Sequence, residues 1–181
     1  MKGFTLWLTG LPCSGKTTIS EAVAARLRSS GYAVELLDGD AFRQKESGGL
    51  GYSKQDRETN IARAAEAATM LAGRDIVTLA SFISPYRSMR EAARRRIPNF
   101  IEVYVRCPLE VCEKRDVKGM YKLARSGRIT TFTGVSDPYE EPLSPEITVD
   151  TDQMSLDECV AKILDHLSTH RWVSLNGGGA H

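Results

Sequence analysis

The stretch GLPCSGKT, residues 10–17, constrains this chain of 181 residues more than any other part of it. It fits the pattern G-x-x-x-x-G-K-[ST], in which a glycine-rich loop wraps a phosphate chain in backbone N–H groups. An apolar strand-like segment, 4–9, precedes it, and residues 16–30 follow with Ile19, Val23 and Leu27 at helical spacing. A helix that begins at such a loop directs its positive end at an anion. The motif therefore predicts a nucleoside triphosphate site.

Strand-like and helix-like segments alternate along most of the chain. Further strands are predicted at 32–38, 75–82, 100–105 and 146–149, with a helix at about 53–71 and another that begins at the capping box of Ser155 and Glu158. This alternation predicts right-handed crossovers and a mostly parallel five-stranded sheet with helices on both faces. The fold class is therefore α/β, a three-layer P-loop NTPase fold. We expect one domain over residues 1–175 and a flexible glycine-rich tail, 176–181.

Composition narrows the function classes. The formal net charge is +1, so no global charge favours nucleic acid or a membrane surface. The apolar runs have the length of strands and are too short to span a bilayer. The four cysteines form no C-x-x-C pair, which favours free thiols in a reducing compartment over a zinc site. We expect a cytoplasmic protein without a nucleic-acid or membrane partner.

One long polar connection, residues 113–142, interrupts the alternation. Between residues 113 and 129 it carries six lysines and arginines against two acidic residues. A connection of this length inside a compact domain is usually functional or disordered. Its position, late in a nucleotide-binding chain, predicts a basic lid.

Two carboxylates, Asp38 and Asp40, stand where the second strand is predicted to end. Ligands of open α/β sheets gather at the carboxyl ends of strands, and a carboxylate there can accept a hydroxyl proton or hold water on a metal. Asp-Gly-Asp is also an ordinary turn sequence. Arg43, Arg57 and Asn60 follow, and arginine forks commonly grip an anionic substrate, although surface arginines are often only solvated. Because no N-K-x-D tetrad occurs, a small-molecule kinase is favoured over a GTPase.

The stretch FISPYR, residues 82–87, places Ser84 between the third strand and the next helix. Ser84 could cap this helix, accept a phosphoryl group or border a substrate. Serine followed by proline is the pattern of an N-cap with proline at the first helical position. We therefore predict that Ser84 caps the helix. The arginines 94–96 are interpreted as a solvated helix C-terminus.

Six segments together resemble the adenylyl-sulfate kinase (APS kinase) family over roughly residues 3–150. They are WLTGLPCSGKTT, LLDGDAFR, LGYSKQDRETNIARAA, FISPYR, FIEVYVRCPLEVCEKRDVKGMYKLARSG and FTGVSDPYEEP. The resemblance implies transfer of the γ-phosphoryl group of ATP, with Mg²⁺, to the 3′-hydroxyl of adenosine 5′-phosphosulfate (APS), which gives PAPS and ADP in sulfate activation. It also implies a homodimer and a functional link to a separate ATP sulfurylase.

The resemblance assigns roles to individual residues. Asp40 would act near the reacting hydroxyl and the metal, with Asp38 in support; Lys16 would contact the phosphates and Thr17 would ligate Mg²⁺. Nucleotide contacts are implied for Gly10, Leu11, Pro12, Cys13, Ser14, Gly15, Lys16, Thr17, Thr18 and Arg115. Contacts with APS are implied for Asp40, Arg43, Tyr52, Arg57, Asn60, Ile83, Ser84, Lys118 and Phe132, of which Tyr52 and Phe132 would sandwich the adenine. The family also labels Ser84 a phosphoserine intermediate, although direct in-line transfer needs no covalent relay.

Two alternatives remain open. One is a kinase of the same fold that acts on another anionic nucleotide or sugar hydroxyl. The other is a catalytically silent nucleotide-binding or regulatory domain. The presence of Lys16, Thr17, Asp38 and Asp40 argues against the silent domain.

Overall fold

The fold is built on five strands, which we describe from a computed structural model that covers residues 2–46 and 48–174. The strands are β1 (Thr5–Thr9), β2 (Val34–Asp38), β3 (Val77–Ser81), β4 (Phe100–Arg106) and β5 (Ile147–Asp150). The predicted flexible tail, 176–181, lies outside the described residues. The single domain predicted over residues 1–175 extends past them and stays a prediction.

The five strands form one sheet in the order β2-β3-β1-β4-β5, and all four pairings between neighbours are parallel. The predicted parallel five-stranded sheet is confirmed. Because all the strands run in one direction, their carboxyl ends meet at a single edge. Every residue that follows a strand end is therefore brought towards the loop after β1.

Seven helices accompany the sheet in the part of the chain that the structure describes. They are α1 (Lys16–Ser29), α2 (Gly39–Glu46), α3 (Lys54–Ala72), α4 (Arg87–Arg96), α5 (Leu109–Arg115), α6 (Met120–Arg125) and α7 (Leu156–Thr169). Among the residues described, no helix combines the length and the apolar character needed to cross a membrane.

Side chains of β1 alternate between two apolar cores. Leu6 and Leu8 pack with α1 and α7 on one face, and Trp7 packs with α3 and α4 on the other face. This arrangement confirms the three layers, since a strand buried on both faces needs a helix layer over each. Full burial of each large apolar side chain contributes about 1.5–3 kcal/mol to the free energy of unfolding.

Two segments contain helices that the sequence patterns did not predict. Helix α2 begins directly after β2 because the Asp38 carboxylate accepts the N–H groups of Asp40 and Ala41, at 3.1 and 3.2 Å. Asp38 therefore caps a helix, where a turn was the alternative interpretation. The segment 113–142 contains the end of α5 and all of α6, so part of this connection is regular. Tyr121 and Phe132 within it are buried in a third apolar cluster.

The prediction that Ser84 caps the next helix is wrong. Helix α4 begins at Arg87, and Tyr86 occupies its N-cap position. Ser84 is 2% exposed with a φ of 40°, and its hydroxyl group bonds into the core instead. The cap comes from a distant residue, because the Glu140 carboxylate accepts the Arg87 N–H at 2.7 Å.

The interpretation of residues 94–96 as a solvated helix end holds only in part. Arg95 and Arg96 are exposed. Arg94 lies 4.8 Å from the centre of the Phe100 ring and donates to Glu146 at 2.6 Å and to Glu102 at 3.3 Å. The bond to Glu146 raises the pKa of Arg94. Burial opposes a lower pKa of Glu146, but its bonds, with that to Arg94 foremost, outweigh burial and lower it. Arg94 therefore joins α4 to the segment that leads into β5.

We predict that Leu27→Ala lowers the free energy of unfolding by about 2–5 kcal/mol, because a fully buried leucine leaves a cavity between α1 and the sheet. Chemical denaturation followed by circular dichroism measures this change. The matched control is Leu143→Ala, since Leu143 is 78% exposed. Equal losses in the two variants would contradict the assignment of the core.

Candidate active site

The phosphate-binding loop between β1 and α1 has a shape that requires glycine at two positions. A Cβ atom at Gly10 would lie 2.4 Å from the carbonyl oxygen of Val105 in β4, so the loop backbone can approach the sheet only without a side chain. Gly15 has a φ of 103° and occupies the N-cap position of α1. Within the described residues no side chain caps α1, so its first N–H groups remain available to an anion.

Lys16 is held inside the loop by backbone carbonyl groups. Its Nζ donates to the oxygens of Gly10 and Leu11, at 3.0 and 2.7 Å. Burial lowers the pKa of Lys16 from 10.5 to about 8, which neighbouring acidic groups only partly offset. The ammonium group is thus confined where the phosphates are predicted to bind, and its direct partners among the described residues are all neutral oxygens.

Thr17 and Asp38 meet across the carboxyl edge of the sheet. The Thr17 hydroxyl donates to Asp38 Oδ2 at 2.8 Å. In the part of the chain that the structure describes, no group of three His, Cys, Asp or Glu side chains could hold a metal ion. Mg²⁺ in nucleotide sites needs fewer protein donors, because phosphate oxygens and water complete its octahedron. This hydroxyl and carboxylate therefore fit the predicted Mg²⁺ site.

Asp40 lies in the first turn of α2 and forms an ion pair with Lys118, from the predicted lid. The bond to Asp40 raises the pKa of Lys118. Both side chains are largely exposed, so this pair contributes little to stability. The ion pair matters for position, because it places the basic segment next to the candidate catalytic carboxylate.

Arg57 is buried and joins α3 to the segment 132–141. It donates to Thr133 Oγ1 and to Asp137 Oδ2, each at 2.7 Å, and through Nε to the Tyr52 carbonyl at 2.9 Å. The sequence patterns predict Arg57 as a site residue but do not predict Thr133 or Asp137. Their only signal was their place in the motif FTGVSDPYE, because nothing in local periodicity relates residues about 80 positions apart.

The other predicted APS contacts are placed less tightly. The Arg43 guanidinium lies 4.7 Å from the Tyr52 ring centre and donates to the Gly51 carbonyl at 2.6 Å. Tyr52 is 58% exposed, whereas Phe132 is buried edge-on against Tyr121. The adenine sandwich of Tyr52 and Phe132 stays a prediction. Asn60 is buried, and its Oδ1 has no hydrogen-bond partner among the described residues.

Ser84 belongs to a chain of hydrogen bonds beneath the site. Its hydroxyl accepts the Trp7 indole N–H and donates to Thr9 Oγ1, both at 3.1 Å. Thr9 donates to the Ile83 carbonyl at 2.8 Å and, with its one proton used, accepts from the Tyr139 hydroxyl at 2.9 Å. Burial raises the pKa of Tyr139 to about 12, so it stays a donor. None of these partners is a base that could activate Ser84 as a nucleophile.

Arg115, at the end of α5, connects the predicted lid to the loop after β5. It donates to the Thr151 carbonyl at 2.5 Å and to Thr151 Oγ1 at 3.2 Å. Thr151 Oγ1 in turn donates to the Ser14 carbonyl of the phosphate-binding loop, at 2.8 Å. Arg115 therefore lies beside the loop that is predicted to bind the nucleotide.

Comparison with known proteins agrees with this geometry. The family model for adenylylsulphate kinase matches residues 2–150. The chain is 53% identical over 166 residues to the adenylyl-sulfate kinase of Rippkaea orientalis, covering 92% of each chain. It is 49% identical over 174 residues to that of Halothermothrix orenii, covering 96% of this chain and 94% of the relative. The Mycobacterium tuberculosis APS kinase in complex with AMPPNP and APS superposes with a TM-score of 0.89 and 38% identity, covering 92% of this chain and 98% of that one.

The parallel sheet and the phosphate-binding loop define a P-loop kinase. Within that class, the chain belongs to the adenylylsulphate kinase family.

We predict that affinity for a nonhydrolysable ATP analogue is constant below pH 8 and falls above it, by up to about tenfold per pH unit, because Lys16 loses its charge near pH 8. Lys118 stays charged in this range because its pKa is raised. Calorimetric titration between about pH 7 and 9.5 measures the effect.

The control for this titration is Lys45→Met, which removes an exposed lysine and should keep the pH profile. The pH dependence of the free energy of unfolding gives a second readout, which changes in the opposite direction to the affinity. Between about pH 8 and 10.5 the unfolded chain keeps a proton on Lys16 that the folded protein loses, so the Lys16 contribution to unfolding free energy rises with pH. A dissociation constant that does not change up to about pH 9.5 would contradict the lowered pKa.

Proposed function

We propose that this protein transfers the γ-phosphoryl group of ATP to the 3′-hydroxyl of adenosine 5′-phosphosulfate, giving PAPS and ADP. It is an ATP-dependent kinase of sulfate activation, a function supported by its curated adenylyl-sulfate kinase relatives and by the related structure with AMPPNP and APS. The observation that carries the proposal is the convergence of Lys16, Thr17 and Asp38 at the carboxyl edge, with Asp40 beside them.

Each part of the phosphate-binding side has a defined task. The loop N–H groups and Lys16 bind and orient the triphosphate, and Thr17 with Asp38 would hold Mg²⁺. Mg²⁺, when bound, neutralises charge on the phosphate oxygens. Asp40 orients the acceptor hydroxyl and takes its proton, which requires that Lys118 release this carboxylate or share it.

The acceptor side suits a dianion that carries a flat base. Arg43 and Arg57 supply guanidinium donors, and Arg57 keeps two of its five N–H groups beyond the three used for its neighbours. Tyr52 and Phe132 offer aromatic faces or edges for the adenine. The basic segment 113–142 acts as a lid that excludes water and so limits ATP hydrolysis.

Three further features belong to the same proposal. The protein acts in the cytoplasm, forms a homodimer, and receives APS from an ATP sulfurylase on a separate polypeptide. The net charge of +1 and the four free cysteines support the cytoplasmic location. Gel filtration with light scattering tests the homodimer.

A coupled assay with ATP, Mg²⁺ and APS tests the reaction, with ADP followed spectroscopically and PAPS identified by mass spectrometry. We expect APS-dependent ADP formation, and turnover that falls by about 10²–10⁴-fold in Asp40→Asn, because the general base is lost. The control is Asp75→Asn, since Asp75 precedes β3 at the opposite edge, and its φ of 59° suits asparagine.

Other outcomes of the same assay distinguish the alternatives. ADP formation with AMP or a sugar acid but not with APS would identify a kinase of the same fold with another acceptor. Nucleotide binding without ADP formation from any acceptor would identify a silent domain. Undiminished turnover of Asp40→Asn would remove that carboxylate from the mechanism.

We predict that Ser84→Ala retains APS-dependent turnover but loses about 1–3 kcal/mol of stability, because the Trp7 indole N–H is left without its buried partner. Thermal unfolding and the coupled assay measure the two effects separately. A folded Ser84→Ala protein that binds both substrates but does not turn over would support the phosphoserine role.

A further inference from the structure

We propose that Arg90 is a positioning residue for APS: it fastens Ser84 and the segment 132–141 together and so sets the shape of the acceptor side. This inference rests on the proposed function, because it concerns the binding of the second substrate. No sequence pattern assigns a role to Arg90, and its side chain is not expected to touch either substrate.

Arg90 lies on α4 and is 3% exposed. Its Nη1 donates to the Ser84 carbonyl at 2.6 Å, its Nη2 donates to the Glu140 carbonyl at 2.5 Å, and its Nε lies 2.9 Å from Glu102 Oε1 on β4. The planar guanidinium thus reaches three partners in three directions, which a lysine ammonium on its flexible stem cannot reproduce. A charge buried this deeply is costly unless it is paired, so the arrangement requires all of these contacts.

The first partner, Ser84, is in an unfavourable backbone conformation. Its φ of 40° is one that residues other than glycine adopt rarely and at a cost in free energy. Such conformations persist where the surroundings over-determine them, and they cluster at functional sites. Arg90 holds the Ser84 carbonyl while Trp7 and Thr9 hold its hydroxyl. Ile83 and Ser84 are the strand-end residues proposed to border APS.

The second partner, Glu140, is fixed to the same turn by its own atoms. Its N–H donates to the Pro85 carbonyl at 2.8 Å, and its carboxylate accepts the Arg87 N–H at 2.7 Å. With the Arg90 bond, three hydrogen bonds hold Glu140 against residues 85–90. The end of the segment 132–141 is therefore packed against the turn that follows β3.

The other end of this segment is held by the second buried arginine, Arg57, through Thr133 and Asp137. Phe132, a proposed adenine contact, begins the segment. Arg57 and Arg90 therefore anchor the two ends of one wall of the proposed APS pocket. Loss of Arg90 should loosen this wall more than the phosphate-binding loop, because the close approach of Gly10 to the Val105 carbonyl involves no atom of Arg90.

The test uses the full chain with Trp172→Phe, so that Trp7 is the remaining one of the two tryptophans and reports on Ser84 through their hydrogen bond. In this background we expect Arg90→Met to raise the KM for APS by about tenfold or more, since a misplacement of about 1 Å can cost about a hundredfold. We expect the KM for ATP to change less than about twofold and the Trp7 emission maximum to shift, because the ATP loop is intact and the Trp7 partner has moved.

Three further variants separate positioning from folding. Arg90→Met/Glu102→Gln also removes the carboxylate that Arg90→Met leaves behind, and should show the same rise in the KM for APS. Arg90→Lys keeps the buried charge and some of the contacts, and should give an intermediate KM. Arg96→Met changes an exposed arginine of the same helix and should match the parent protein.

The proposal is overturned if the folded Arg90 variants keep the parent KM for APS, or if the KM values for APS and ATP rise together. Should Arg90→Met fail to fold, the KM values of the double variant and of Arg90→Lys for APS and ATP test the proposal by the same criteria. If the parent protein does not turn over APS, the proposed function fails. The APS part of this inference fails with it, and the Trp7 emission of Arg90→Met then decides whether Arg90 holds Ser84.

Discussion

The site depends first on the close approach of the Gly10 backbone to β4. No side chain fits between Gly10 and the Val105 carbonyl, so the loop lies directly on the carboxyl edge of the sheet. This position confines Lys16 among carbonyl groups and brings Thr17 to Asp38 at the end of β2. The lowered pKa of Lys16 has the same origin, because a loop tight enough to cradle phosphates also excludes water from the ammonium group.

The acceptor side is organised by a different kind of interaction, the hydrogen bonds of buried arginines. Arg57 and Arg90 each join elements that are distant in the chain, and each has bonds to the segment 132–141. A guanidinium can satisfy several oxygens at fixed angles, so it fixes an irregular segment that has no ladder of its own. Residues 132–141 therefore have a defined course although they contain neither a helix nor a strand.

Local sequence patterns were enough to predict most of the fold and the phosphate-binding side of the candidate site. The strand and helix alternation placed all five strands within two residues of their observed ends, and the glycine spacing identified the loop. The patterns failed where a distant partner decided the outcome. Ser84 and Pro85 match the pattern of an N-cap. In the folded protein, however, the Ser84 hydroxyl forms hydrogen bonds with Trp7 and Thr9, and the Glu140 carboxylate caps the helix. Arg90 looked like any arginine of a basic helix, although it is almost fully buried.

By itself the sequence determined the parallel α/β fold and the phosphate-binding loop, because apolar periodicity and glycine spacing act over a few neighbouring residues. The adenylylsulphate kinase family was indicated by the resemblance of six segments, and the family model and the relatives show it. Only the tertiary structure decided which polar groups meet. Asp38 became both a helix cap and the partner of Thr17, and Ser84 became part of a buried hydrogen-bond chain. The physical reason is that a buried polar group takes whichever partner the packed fold brings within reach, and that partner can be anywhere along the chain.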